Sequence, residues 1–221
     1  VGDVDETIVD VFQQYLKFPE NRQDYPSAYT FKSQHPDVLE IIEKQDITQS
    51  KLNLGYQIDC DFISEQHYAF TVFNAIFGGF SQSRLFKVVR EENSLCYYVS
   101  SSYDAFNGIM IVNAGIEAKD YHKTMDLIQQ ELKAIQDGQI EKRDIDVAKM
   151  MLENSLRKTS DEAGSMIALT YNRDITHKVE SNDEYIEKLL NVSQEDIIKV
   201  AKQVRLDTIF FLTGKDFDEN N

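Results

Sequence analysis

Phe77-Gly-Gly-Phe-Ser-Gln-Ser-Arg-Leu-Phe-Lys-Val-Val-Arg-Glu-Glu-Asn-Ser-Leu-Cys-Tyr-Tyr-Val-Ser-Ser-Ser102 changes its periodicity once, and that change decides the fold. Gly78 and Gly79 supply the backbone freedom with which a helix ending at Phe77 can turn. Ser81 or Ser83 can then cap the N–H groups of a short helix, whose buried side carries Leu85, Phe86, Val88 and Val89 at helical spacing. Asn93 and Ser94 break that helix. From Leu95 the composition turns β-branched and aromatic, with Leu95, Tyr97 and Val99 expected on one face and Cys96, Tyr98 and Ser100 on the other.

Arg90 therefore falls in the last turn of the short helix, and Tyr97 lies seven residues later, near the start of the strand that leaves it. Both can face one cleft. A fixed guanidinium and a phenol at a helix-to-strand corner can donate hydrogen bonds to a carbonyl oxygen, and to the negative charge that oxygen gains during acyl transfer. Propensity alone favours a plainer reading. An arginine followed by Glu91 and Glu92 is ordinarily a solvated charge, and a strand tyrosine is ordinarily half core.

The string Gly-Gly-x-Ser-x-Ser-Arg-Leu-Phe-x-x-Val-Arg-Glu-x-x-Ser-Leu-x-Tyr, from Gly78 to Tyr97, resembles the signature in the C-terminal domain of the pitrilysin-type metallopeptidases. That family includes insulin-degrading enzyme, the mitochondrial processing peptidase and many bacterial zinc proteases. In it an arginine and a tyrosine seven residues apart bind substrate opposite the zinc site, and Arg90 and Tyr97 fall on those positions. Cys96 departs from the small residue the family places before the tyrosine, which alters strand packing and leaves the pair intact.

Length and charge narrow the classes. At 221 residues the chain can bury one core, or one domain with a piece of another, and its start at Val1-Gly2-Asp3 leads us to expect a fragment. No apolar run approaches the length of a membrane span. A net charge of −15 argues against nucleic acid, since phosphate binding needs Lys and Arg clusters, and leaves neutral or basic partners. Cys60 and Cys96 are too few for a disulfide framework; they read as buried thiols in strands, in a reducing, cytoplasmic compartment.

Along the chain, Asp3 to Phe18 reads as a helix with Ile8, Val11, Phe12, Tyr15 and Leu16 at helical spacing. The resemblance makes residues 1–18 the end of a preceding domain. Residues 19–50 hold all three prolines and read as a linker, leaving 51–217 as the peptidase-like domain. Within it, Lys51 to Phe62 reads as a strand with Leu52, Leu54, Tyr56, Ile58 and Cys60 on one face, and Glu65 to Phe77 as a helix. Asn107-Gly108 turns a hairpin between residues 97–103 and 109–115. Helices are expected over about 118–137, stopped by Gly138, then over 141–158 and around 161–172, and after a Ser193 cap; Thr208 to Thr213 closes as a strand. The order predicts an α+β fold, an antiparallel sheet with helices packed on one face.

Several sites are missing from the text of the chain. None of His35, His67, His122 and His177 has another histidine three to five residues away, and neither H-E-x-x-H nor the inverted H-x-x-E-H can be written. Each histidine reads as a surface residue, with His67 alone placed where it could line a cleft. The Gly78-Gly79 pair lacks the Gly-Lys-Ser/Thr of a phosphate loop, and no G-x-S-x-G elbow occurs.

The resemblance implies the C-terminal, non-zinc domain of a zinc metalloendopeptidase. Such a domain carries no cofactor itself; zinc and the glutamate base belong to an H-x-x-E-H-bearing half or partner subunit, with which a dimeric assembly on a peptide substrate is expected. Arg90 and Tyr97 would then hold the substrate carbonyl and stabilise its oxyanion. The alternative is a catalytically silent structural partner, as the respiratory-complex core proteins of the same superfamily are.

Overall fold

A computed structural model describes residues 3, 5–21, 37–59, 64–159, 162–177 and 180–217. Five strands form one sheet: β1 (Leu39–Gln45), β2 (Ser50–Gln57), β3 (Cys96–Asp104), β4 (Ile109–Ile116) and β5 (Arg205–Gly214), in spatial order β1-β5-β2-β4-β3. The hairpin β3–β4 pairs antiparallel through the Asn107-Gly108 turn, where Gly108 takes φ 67°. β2 pairs antiparallel with both β4 and β5, and β1 joins the edge of β5 in parallel.

The expected α+β layering holds, with two differences in the sheet. It is mixed rather than purely antiparallel, because β1 runs parallel to β5. And β1 lies inside the stretch read as a linker, so residues 39–45 belong to the sheet. Its sequence, Leu-Glu-Ile-Ile-Glu-Lys-Gln, alternates poorly since an edge strand packs only part of one face; Ile42 is its single half-buried residue.

One face of the sheet is dry. Leu52, Leu54 and Tyr56 of β2, Met110, Val112 and Ala114 of β4, Val99 of β3, and Ile209 and Phe211 of β5 all point into the core. The helices lie on this side: α2 (Gln66–Asn74), α3 (Tyr121–Gln136), α4 (Lys142–Thr159), α6 (Asn182–Leu190) and α7 (Gln194–Ala201). In α2, Tyr68, Phe70, Val72 and Phe73 are buried, and Phe73 stacks on Phe77 at 5.6 Å. Fully burying one such phenylalanine contributes about 2 to 3 kcal/mol. The opposite face of the sheet carries Lys51, Asn53, Ser100, Ser102, Ile111 and Asn113, all exposed or half-buried.

Two helices behave differently. α1 (Thr7–Tyr15) is shorter than residues 3–18 and buries none of its residues. α5 (Ala163–Thr176) buries only Thr176. α6 is absent from the periodicity reading, which is understandable in nine residues whose apolar positions are few; its start is set by a capping box between Ser181 and Glu184. α7 opens with a second such box, Ser193 with Asp196, as the serine cap predicts.

The glycine pair serves a purpose other than turning. The chain continues past Phe77 as a π-helical turn over Ala75–Gly79, and neither glycine takes a positive φ. A Cβ on Gly78 would stand 2.6 to 2.9 Å from the Oγ, N and Cβ of Ser101, so the glycine lets this turn press onto β3. The Ser101 hydroxyl, buried there, donates to Asn74 Oδ1 at 2.8 Å.

Candidate functional site

The corner between the glycine pair and β3 is built residue by residue from the quoted stretch. Ser83 is buried and its Oγ accepts from the Phe86 N–H at 3.4 Å, so it is the cap that the sequence offered as one of two. Arg84 anchors the corner sideways: its Nε donates to Glu131 of α3 at 2.7 Å and its Nη1 to the Gln139 carbonyl at 2.5 Å. Leu85 and Val89 are fully buried. Residues 86–92 then form a π-helical segment rather than an α-helical one. Isolated π turns are uncommon and cluster at functional positions, because the wider turn re-aims the side chains it carries.

Arg90 is exposed at the end of this segment, with its guanidinium carbon 4.6 Å above the centre of the Phe86 ring. The ring gives the cation a platform, worth about 0.5 to 1 kcal/mol at an exposed site, and limits the arcs the side chain can sweep. Ser94, in the left-handed region at φ 54°, stops the helix. Asn93 Nδ2 donates to the Val88 carbonyl at 2.9 Å and the Leu95 N–H to the Val89 carbonyl at 3.0 Å, so the break is tied down as Asn93-Ser94 predicts.

Tyr97 departs from simple alternation. The β3–β4 register runs Cys96 to Ile116, then Tyr98 to Gly115, leaving Tyr97 unpaired in a β-bulge. Without the bulge, Tyr97 would point inward with Leu95 and Val99, which are 6% exposed each; with it, Tyr97 stands 62% exposed. The half-core reading of this tyrosine is thereby excluded. Among the described residues neither the Tyr97 hydroxyl nor the Arg90 guanidinium has a hydrogen-bond or ion-pair partner.

Half-burial pushes the thiol of Cys96, the residue before Tyr97, up to about 11, and the Arg90 charge acts in the opposite direction. Lys119 lies just after β4. Its ammonium is raised chiefly by the hydrogen bond to Glu117, a contact of 2.6 Å, and in smaller part by Asp120 and by Tyr97 itself. Lys119 is the site neighbour that sequence reading passed over; the hairpin register, which brings Ile116 opposite Cys96, is the signal that could have found it. The stretch presents one exposed phenol and one exposed guanidinium seven residues apart, and Lys119 follows the strand that pairs with the phenol's own. It can donate to an oxygen that carries or develops negative charge.

The histidines do not converge. His67 is buried, not on the surface, and its Nε2 lies 2.9 Å from the Tyr185 hydroxyl and its Nδ1 3.3 Å from that of Tyr103. This polar cluster continues through Tyr68, whose hydroxyl donates to Glu180 at 2.7 Å, and ties α6 to α2. His122 and His177 are exposed on separate helices, and His35 and Cys60 lie outside the described residues. Among the described residues no group of three or more His, Cys, Asp or Glu side chains could hold a metal ion.

The chain is similar to known proteins in sequence and in fold. The model of the peptidase M16 inactive domain matches residues 1–152. A probable inactive metalloprotease of Bacillus subtilis, YmfF, is 32% identical over 221 residues, covering 98% of this chain and 51% of that protein. A conserved protein from Enterococcus faecalis superposes with a TM-score of 0.88 at 34% identity, over 99% of this chain and 52% of the other. A chain of complex III from Candida albicans shares the fold, with a TM-score of 0.74 at 19% identity over 99% of this chain and 55% of its own length. The chain thus spans about half the length of these relatives. Its signature stretch, its sheet and its want of a zinc motif lead to one assignment: the chain belongs to the peptidase M16 family and matches that family's inactive domain.

Proposed function

We propose that this chain is the half of an M16 metallopeptidase that holds substrate, paired with an H-x-x-E-H-bearing half or subunit in which zinc resides. The observation that carries the reading is the outward aim of Tyr97, which a β-bulge turns away from the core, seven residues after an exposed Arg90 that has no hydrogen-bond or ion-pair partner among the described residues. Arg90 attracts and orients the carbonyl of an extended peptide. The Tyr97 hydroxyl donates to the same oxygen and gains strength as charge develops on it, which is where a hydrogen bond lowers a barrier. The acidic balance of the chain suits neutral or basic peptides, and a reducing, cytoplasmic setting suits its thiols.

The test needs the zinc-bearing half present. Tyr97→Phe removes one hydroxyl and little volume, so kcat should fall by roughly a hundredfold with a modest change in KM. Full activity of that variant in an otherwise active assembly would remove the catalytic role. A second reading is favoured by the name of the Bacillus relative, probable inactive metalloprotease, and by the fold shared with a complex III chain. In that reading the chain is a structural partner, and it predicts a stable complex with a zinc-bearing half whose turnover is indifferent to both Arg90 and Tyr97.

A further inference from the structure

Two tyrosines in succession, Tyr97 and Tyr98, leave the same face of β3, because the bulge adds Tyr97 to the side that Tyr98 already occupies. Two rings on adjacent residues compete for one volume. The structure resolves the competition at Gly115, the residue paired with Tyr98 across the hairpin. A Cβ at Gly115 would lie 2.4 Å from Tyr98 Cε1 and 2.8 Å from Cδ1, closer than any real carbon contact, and 2.7 Å from Gln49 Nε2. So the Tyr98 ring lies down on the bare backbone of Gly115, beside the Gln49 amide. Gly115 is buried although it belongs to the open face of the sheet, which shows how completely these two side chains cover it.

We propose that Gly115 and the Tyr98 ring are positioning residues for Tyr97: the glycine gives the second tyrosine a seat over the sheet, which leaves the first free to stand at the corner beside Arg90. This rests on the reading of Tyr97 as the group that meets the substrate carbonyl. The physical sequence is short. A side chain at 115 displaces the Tyr98 ring from its seat. The shortest path for a displaced ring on a pleated strand is along its own strand, toward the unpaired Tyr97, whose bulged backbone lacks ladder bonds to resist it. A hydroxyl moved by about 1 Å from its productive position can lose up to about a hundredfold in rate, so the effect is large enough to read.

The choice of glycine is therefore about room rather than backbone conformation. Gly115 does not take a positive φ, in contrast with Gly108 and Gly138. Alanine at 115 fits the backbone of a strand, and its cost arises from the Tyr98 ring, because the other close atom, Gln49 Nε2, is the far end of a flexible side chain that can move aside. That makes a clean cycle possible, because removing the ring removes the reason for the glycine.

The experiment uses Gly115→Ala, Tyr98→Ser, the double variant and Tyr98→Phe. The first readout is independent of activity. The chain is labelled with 3-fluorotyrosine at its 11 tyrosines, the Tyr97 fluorine resonance is identified by its loss in Tyr97→Phe, and its broadening by a soluble gadolinium chelate is measured. Gly115→Ala should shift the Tyr97 resonance and alter its exposure to the chelate; the same substitution on the Tyr98→Ser background should change neither. The second readout is turnover with the zinc-bearing half. Gly115→Ala should lower kcat about tenfold with KM nearly unchanged, Tyr98→Phe should match the parent, and Gly115→Ala should cost nothing further once Tyr98 is Ser. A Tyr97 resonance unmoved by Gly115→Ala, or moved equally in both backgrounds, overturns the proposal. Should Tyr97→Phe retain full activity, the catalytic reading fails while the fluorine cycle still decides whether Gly115 and Tyr98 place Tyr97.

Discussion

Arg90 and Cys96 show how a single side chain is tuned by what lies beside it. Arg90 is a planar fork resting on the Phe86 ring, a geometry that an ammonium cannot copy. On the role proposed for Arg90, in which the guanidinium meets the carbonyl in the ground state as well as the transition state, Arg90→Ala assayed with a zinc-bearing half should raise KM and lower kcat together, and Arg90→Lys should recover little of either. A lysine variant with parental kinetics would show that only the charge matters. Cys96 is the converse case, a thiol that its surroundings quieten. Its value of about 11 is set first by burial, and the thiolate that reacts with alkylating agents is scarce at neutral pH. Alkylation mapped to Cys96 should therefore be slower than that of an unperturbed thiol at pH 7, and slower still in Arg90→Ala, which removes the one nearby charge that favours the thiolate. Faster labelling in that variant would contradict the assignment of Arg90 to this spot.

Elements here begin and end for reasons that can be titrated. The box that opens α7 couples the Ser193 hydroxyl to the Asp196 N–H at 3.1 Å and the Ser193 N–H to the Asp196 carboxylate at 3.0 Å. Asp196 is held below its ordinary value of 3.8, first by the Ser193 side chain and then by its backbone. A carboxylate depressed by folding contributes stability that is present above its unfolded value and is lost as the pH falls through its folded value. Ser193→Ala should therefore cost about 1 kcal/mol at neutral pH, and the gap from the parent in urea melts should narrow as the pH drops below 3.8. An equal gap at pH 7 and pH 3 would assign the loss to packing. Residues 75–92 follow a different logic, in which both helical pieces are π-helical and a glycine presses one of them against β3. That arrangement aims Arg90, and no local propensity encodes it.

At the scale of the molecule the fold is a sheet with one dry face and two helices that bury almost none of their residues. Val9, Val11, Phe12, Tyr15 and Leu16 of the first helical region are 46–75% exposed, an apolar surface of the kind that marks a contact site. Hydrogen exchange on the chain alone should find α1 exchanging fastest and β2 and β4, inside the sheet, slowest. Leu39–Gln45 should be slower than α1 because β5 holds it through a full parallel ladder, although the proline-containing stretch before it suggested a linker throughout. Protection of α1 equal to that of β2 would mean that it packs on this domain.

The chain by itself determined the elements whose cause is local: the hairpin at Asn107-Gly108, the capped start at Ser193, a second cap narrowed to Ser81 or Ser83, the apolar stripes of α2 and α3, and a signature in which Arg90 and Tyr97 keep their spacing. It also determined what cannot be built, since no histidine spacing for zinc occurs. Tertiary structure alone decided the rest. The edge strand β1 was illegible because an edge strand packs only part of one face and leaves little alternation to read, and the burial of His67 depends on tyrosines 36 and 118 residues away. The aim of Tyr97 is the sharpest case. Period-two alternation put it on one face with Leu95 and Val99, and it leaves that face because a bulge, which is a property of two paired strands, inserts it beside a tyrosine seated on the bare backbone of Gly115.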